Sequence, residues 1–175
     1  MILLDNRRVG NALGALACFA MLGYALYAEK VLGLAPCPLC MFQRVAILAL
    51  GVVFVLAALH DAGRVGGRVY AALIVLAAGA AVAVAARHVY VQGLPPGLVP
   101  ACGATLDFLL EAFPLLEVVR KVMTGGGECA LVDWRFLGLS MPAWVLIAAL
   151  VLGIYGAVLN GGARRELRRA EFAIR

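Results

Sequence analysis

The sequence predicts an all-α membrane protein, an antiparallel bundle of four transmembrane helices with two outward loops, the second long and carrying a short amphipathic helix. Three observations carry this reading. Hydrophobic residues make up 65% of the 175 residues and charged residues only 14%, with a mean hydropathy of +0.99. A soluble domain runs near half apolar and a quarter charged, because its surface must face water. Four apolar stretches approach the ~20 residues that cross a bilayer at ~1.5 Å rise each. The basic residues, finally, collect on alternate loops. A soluble core, a disordered tail and a disulfide-stapled mini-domain are thereby excluded. The net charge of +5 reads as a topology signal and not as a nucleic-acid footprint.

The first span covers residues 9–28 and contains no charge. Arg7 and Arg8 precede it as they would a signal peptide. The run is longer than a signal core and ends without a small-x-small site, so it is expected to remain as a span. The second covers 40–59 and includes Arg44, the third 69–86 and the fourth 141–159. Gly10 with Gly14, and Ala149 with Gly153, form small-xxx-small pairs that let helices approach closely in lipid. No internal repeat divides the chain, so 1–175 reads as one integral membrane domain.

Four spans put both termini on one side. Residues 1–10, 60–68 and 160–175 hold nine Lys/Arg against four Asp/Glu, while 29–44 and 87–140 hold six of each. The Lys/Arg excess predicts a cytoplasmic location for 1–8, 60–68 and 160–175, anchored by Arg164, Arg165, Arg168 and Arg169. Residues 29–39 and 87–140 then face outward, into the periplasm if the membrane is a bacterial inner membrane. The 54-residue outer loop is long for a structureless connection, which points to function. It opens on Gly93, Pro95, Pro96, Gly97 and Pro100, which preclude regular helix. Residues 107–123 then alternate apolar and charged positions around a break at Pro114. They read as an amphipathic segment on the outer membrane surface, or as a loop helix packed on the bundle end.

Four of five cysteines fall on the outward side. Cys18 sits alone in the first span as a small buried hydrophobe. Cys102 and Cys129 lie in the long loop with 26 residues between them, a spacing that suits a structural bridge as well as a reactive one. Cys37 and Cys40 form Cys-Pro-Leu-Cys at the start of span two. A bridge between them would close almost no loop and so contribute little stability, the mark of a reactive pair. No metal site is expected, since Cys102 and Cys129 are far apart in sequence and His60 falls on the opposite side. Cys40 stands where unpaired N–H groups at a helix N-terminus favour negative charge, hence a reactive thiolate. Arg44, four residues on, shares its face and lies about one turn inside the apolar boundary, costly unless it snorkels or meets a partner. A thiolate beside a guanidinium at headgroup depth suits a lipid-soluble, carbonyl-bearing electron acceptor such as a quinone.

The run Cys37-Pro-Leu-Cys40-Met-Phe-Gln-Arg44 resembles the Cys-x-x-Cys-x-x-x-Arg motif of the DsbB family of bacterial inner-membrane disulfide-forming proteins. The stretch from Trp134 to Trp144 resembles that family's entry into its last span. The four spans and the second cysteine pair extend the likeness over nearly the whole chain. The resemblance implies a protein-disulfide reductase (quinone)-type enzyme. It would reoxidise a soluble thioredoxin-like partner, DsbA, and pass the electrons to ubiquinone or menaquinone. DsbA, DsbB and quinone together keep the bacterial periplasm oxidising. Carried over residue by residue, Cys102 would accept attack from the partner thiolate and Cys129 would exchange with Cys37. Cys40 would donate to the quinone and Arg44 would hold it. His88 matches a family histidine near the quinone, and an interfacial imidazole without a role is its plainer reading. Gly125, Gly126 and Gly127 would let Cys129 move. Gln43 departs from the acid that some members carry, and Pro38 is a variable choice within the motif. Vitamin K epoxide reductase-like proteins offer a related alternative, but their loop pair precedes the Cys-x-x-Cys. A non-catalytic scaffold held by two inert disulfides is the other.

Overall fold

A computed structural model describes residues 6–61, 63–95, 106–132 and 134–161. Four long helices carry the fold: α1 (Arg7–Lys30), α2 (Pro38–His60), α3 (Arg64–Gln92) and, after the outer loop, α7 (Met141–Gly161). Each is long and apolar enough to cross a membrane. The outer loop contributes α4 (Leu106–Ala112), α5 (Leu115–Thr124), α6 (Gly127–Ala130) and a hairpin of β1 (Arg135–Phe136) and β2 (Leu139–Ser140). The chain is thus a multi-pass all-α membrane protein with one small hairpin. Cys102 and the basic cluster Arg164, Arg165, Arg168 and Arg169 lie outside the described residues, as do Pro96, Gly97 and Pro100.

Local signals set the helix ends. Asn6 caps α1 by accepting from the Arg8 amide at 3.0 Å. Cys37 caps α2, with Pro38 at the first helical position, where a missing N–H costs nothing. Helix α3 runs past the apolar stretch at 69–86 to Gln92, because no breaker precedes Gly93 and Pro95. That extension lifts His88 to the outer end of the bundle.

The packing is antiparallel throughout, because paired residue numbers run in opposite directions. A Cβ on Gly14 would meet the Phe54 ring at 2.8 Å and one on Gly51 would meet Cys18 at 3.1 Å, which aligns α1 with α2. On α7, Gly153 faces Ala78 and Gly156 faces Ile74. The Phe54 ring is gripped between Gly14 and Gly156, where any side chain would displace it. Around it Ala15, Cys18, Leu50, Ile74, Ala78, Ala81 and Ala149 form the buried core. The sequence's two small-residue pairs therefore lie at helix contacts. Facing outward, Leu16, Leu76, Val151 and Ile154 are each at least 60% exposed, as a lipid-facing surface requires.

Polar groups tie the end that holds the termini of α1 and α7. Buried Asn11 and Asn160 exchange reciprocal amide hydrogen bonds of 3.0 and 2.8 Å. Arg7 donates to the Asn160 carbonyl and Arg8 to the Ala58 and Leu59 carbonyls, satisfying the last carbonyls of α7 and α2.

In the long loop the chain breaks at Pro114, the position expected within 107–123. The break divides the segment into two helices, since proline cannot continue the first. Val118 and Val122 of α5 pack on the bundle end beside Leu39 and Val91, while Leu115 and Leu116 stay exposed. The hairpin was not anticipated. Leu137 and Gly138 both have positive φ, 50° and 80°, as a two-residue type I′ turn demands. It holds Trp134, Phe136 and Trp144 in successive ring contacts near 6 Å, joined by Tyr24 from α1. Aromatic rings collect in this way at a membrane–water interface.

Candidate functional site

The site forms where α2 begins. Cys37 is the N-cap, its Sγ accepting from the Cys40 amide at 3.4 Å. The two sulfurs stand 3.2 Å apart. Cys37 is buried, while Cys40 retains partial exposure. A glycine turn returns the outer loop to this place. Gly125, at φ 79°, lies against Val91 so closely that a Cβ would sit 2.8 Å from its side chain. There it serves a positive φ and a close approach, and the short helix α6 then carries buried Cys129 inward. Arg87 fastens the preceding helix by donating to the Met123 and Thr124 carbonyls at 2.7 and 3.0 Å.

Cys129 arrives beside Cys37. The ligand atoms of Cys37, His88 and Cys129 all lie within 4.8 Å of one another. His88 is 2% exposed, with its Nε2 3.7 Å from the Cys37 sulfur and 3.1 Å from the Cys129 carbonyl oxygen. Its Nδ1 is 3.1 Å from the amide nitrogen of buried Gln43. With that amide donating to Nδ1, the ring proton belongs on Nε2, where it donates to the Cys129 carbonyl. The grouping joins α2, α3 and α6, which the cysteine spacing and His60 alone do not reveal.

The thiols share protons unequally. Hydrogen bonding to Cys37 pulls the Cys129 thiol down to about 6 against the opposing effect of burial, helped by backbone contacts at Leu39 and Gly126. Hydrogen bonds to Cys129 and Cys40, together with burial, push the Cys37 thiol upward. With the thiols reduced, Cys129 therefore ionises more readily than Cys37, which keeps its proton.

Arg44 has the partner its depth demanded. Its Nη1 donates to the Glu29 carboxylate and its Nη2 donates to the Ala25 carbonyl at 2.9 Å. Both partners belong to the last turns of α1, so the guanidinium pins α1 to α2. Glu29 was not singled out in the sequence. Its signal was an acid at the end of the first apolar run, at the same depth as the arginine. A cleft opens beside these groups. Met21, Leu22, Ile47 and Val145 give it apolar walls, and Cys40, Arg44, Gln43 and His88 supply its polar side. A flat, lipid-soluble ring with carbonyl oxygens matches such a lining. Cys18 lies away from the cleft in the bundle core.

The chain was compared with known proteins. Residues 7–159 match the family model described as disulfide bond formation protein DsbB. A disulfide bond formation protein B from Xanthomonas euvesicatoria is 47% identical over 155 residues, covering 88% of this chain and 90% of that protein. The same-named protein from Chromobacterium violaceum is 44% identical over 160 residues, covering 91% and 96%. That from Methylobacillus flagellatus is 43% identical over 152 residues, covering 87% and 92%.

Proposed function

Because this chain belongs to the DsbB family and is a disulfide-forming membrane oxidoreductase, we propose that it reoxidises a soluble DsbA-like periplasmic dithiol protein and delivers the electrons to a membrane quinone, ubiquinone or menaquinone. Its place is the bacterial inner membrane, with both termini cytoplasmic and residues 29–39 and 87–140 periplasmic.

The observation that carries this reading is the position of Cys37 between two other thiols, with Cys129 on one side and Cys40 on the other. When Cys37 and Cys40 are joined, the Cys129 thiolate attacks the Cys37 sulfur. A Cys129–Cys37 bond forms, the Cys37–Cys40 bond breaks, and the electron pair leaves on Cys40 at the helix N-terminus. Cys102 is the loop cysteine that meets the partner's thiolate and releases Cys129 for this exchange. His88, whose Nδ1 accepts from the Gln43 amide, presents its Nε2–H toward the Cys37 sulfur and the Cys129 carbonyl. Arg44 and His88 both line the cleft, where Arg44 would hold a quinone carbonyl and His88 would stand beside the bound ring. The partner's second thiol breaks the Cys102 mixed disulfide, leaving the partner oxidised, and Cys102 then attacks Cys129, restoring the Cys102–Cys129 bond and releasing Cys37. A bound quinone would supply the oxidising equivalent, two electrons and two protons, for Cys37 and Cys40 to rejoin.

Purified protein with quinone oxidises a reduced thioredoxin-like partner, and Cys37→Ala or Cys40→Ala abolishes turnover. Continued turnover by either variant would overturn the proposal. Arg44→Ala raises the apparent KM for quinone by about tenfold or more, the loss expected on removing a charged hydrogen bond of ~1.5–3 kcal/mol. An unchanged KM removes Arg44 from the quinone site.

A further inference from the structure

The start of α2 gathers more ligands than thiol exchange uses. Cys37, Cys129 and His88 converge within 4.8 Å and all three are buried. Cys40 places a third sulfur 3.2 Å from that of Cys37, beside the cluster of three. Turning the Cys40 side chain toward the other three would complete a Cys3His set, one of the tetrahedral donor sets of structural zinc. Cys37-x-x-Cys40 has the spacing of a zinc half-site, and α3 and α6 bring the other half. Zinc–sulfur and zinc–nitrogen bonds of ~2.3 and ~2.0 Å place neighbouring donors ~3.6–3.8 Å apart around a tetrahedron. The Cys37–His88 separation of 3.7 Å already has that value.

We propose that the fully reduced protein binds one thiophilic divalent cation of the zinc and cadmium class through Cys37, Cys40, Cys129 and His88, and that the bound ion blocks thiol exchange. Binding is not a redox step. Three thiols lose three protons as three metal–sulfur bonds form, and the imidazole adds the fourth bond without changing charge. The resulting cage carries one net negative charge, which the N-terminal amides of α2 face. A disulfide between Cys37 and either neighbour removes two of the donors, so cation and oxidant compete for the same sulfurs.

Gln43 makes the imidazole available. To ligate through Nε2, His88 must carry its proton on Nδ1, the atom 3.1 Å from the Gln43 amide. A carboxamide turned over presents its oxygen to that N–H and occupies the same space. The neutral amide therefore supports both tautomers, one for exchange and one for the cation. It is a positioning residue for the metal state, as outer partners of ligating histidines commonly are.

The test is a Cd2+ titration of the full-length protein in detergent, anaerobic and reduced by a phosphine. The ultraviolet thiolate-to-cadmium band is followed, and affinity is set by a competing chelator. One equivalent saturates a three-thiolate band, and the oxidised protein gives none. Cys102→Ser and Cys18→Ser leave the band and affinity unchanged, whereas Cys129→Ser lowers it to two thiolates. His88→Gln and Gln43→Leu weaken binding by about 10–100-fold, and His88→Cys restores it with a fourth thiolate. Absence of saturable binding overturns the proposal. So does an affinity indifferent to both Cys129 and His88, which would assign the ion to the Cys37–Cys40 pair alone. The titration uses neither quinone nor partner protein, so its failure leaves the proposed turnover standing, and failed turnover leaves the cation site standing.

Discussion

At the scale of single residues, the chemistry depends on how few donors surround each sulfur. Cys129 is buried, which alone would hold it protonated, yet its contact with Cys37 outweighs that penalty and brings it to about 6. The sign of the pH dependence follows. Only the thiolate attacks, so exchange accelerates as rising pH ionises Cys129. In a Cys102→Ser variant carrying the Cys37–Cys40 disulfide, where Cys37 has no thiol proton to donate, acid-quench trapping shows the rate of Cys129–Cys37 bond formation rising with pH through neutrality and above as the Cys129 thiol ionises. A rate unchanged across that window contradicts the assigned nucleophile. Glu29 acts differently, by balancing Arg44 and tying it to α1. Arg44 was legible as a costly charge in an apolar run. Its partner was not, because residues 15 positions apart meet only when two helices pack.

At the scale of elements, small residues decide how closely the helices approach, and paired amides decide how they are tied. Gly14 and Gly156 admit the Phe54 ring between α1 and α7. Near one end of the same helices, Asn11 and Asn160 satisfy each other away from water. Replacing only Asn160 with Leu leaves a buried amide without its partner and costs about 1–2 kcal/mol. The double change Asn11→Leu with Asn160→Leu recovers most of that loss. Thermal or denaturant unfolding in detergent measures both, and a double variant no better than the single one removes the pair from the account. The outer loop shows why the sequence is least informative there. Apolar and charged residues alternate similarly whether a short helix faces lipid or the bundle end. Only Val118 and Val122 meeting Leu39 and Val91 identify the packed face. The hairpin escaped notice because its turn places Leu137 at positive φ, a conformation leucine rarely signals.

At the scale of the whole molecule, the charge asymmetry predicts the orientation. Periplasm-dependent phosphatase fusions are inactive after residue 161 and in the 60–68 turn, and active in the loop at 87–140; the reverse pattern would place the cysteines in a reducing compartment and end the proposed function. Four spans and the close cysteine pair ahead of the second were legible in the sequence alone, as was the charge asymmetry behind the proposed sidedness. Each is a local property: the length of an apolar run, the charge of a loop, two cysteines three positions apart beside a helix start. The meeting of Cys129 with Cys37, of His88 with both, of Gln43 with His88 and of Glu29 with Arg44 was decided by tertiary structure. Those partners lie between 15 and 92 positions apart. No periodicity or spacing records them, because they depend on the antiparallel register of the helices and on the path by which the outer loop returns over the bundle end.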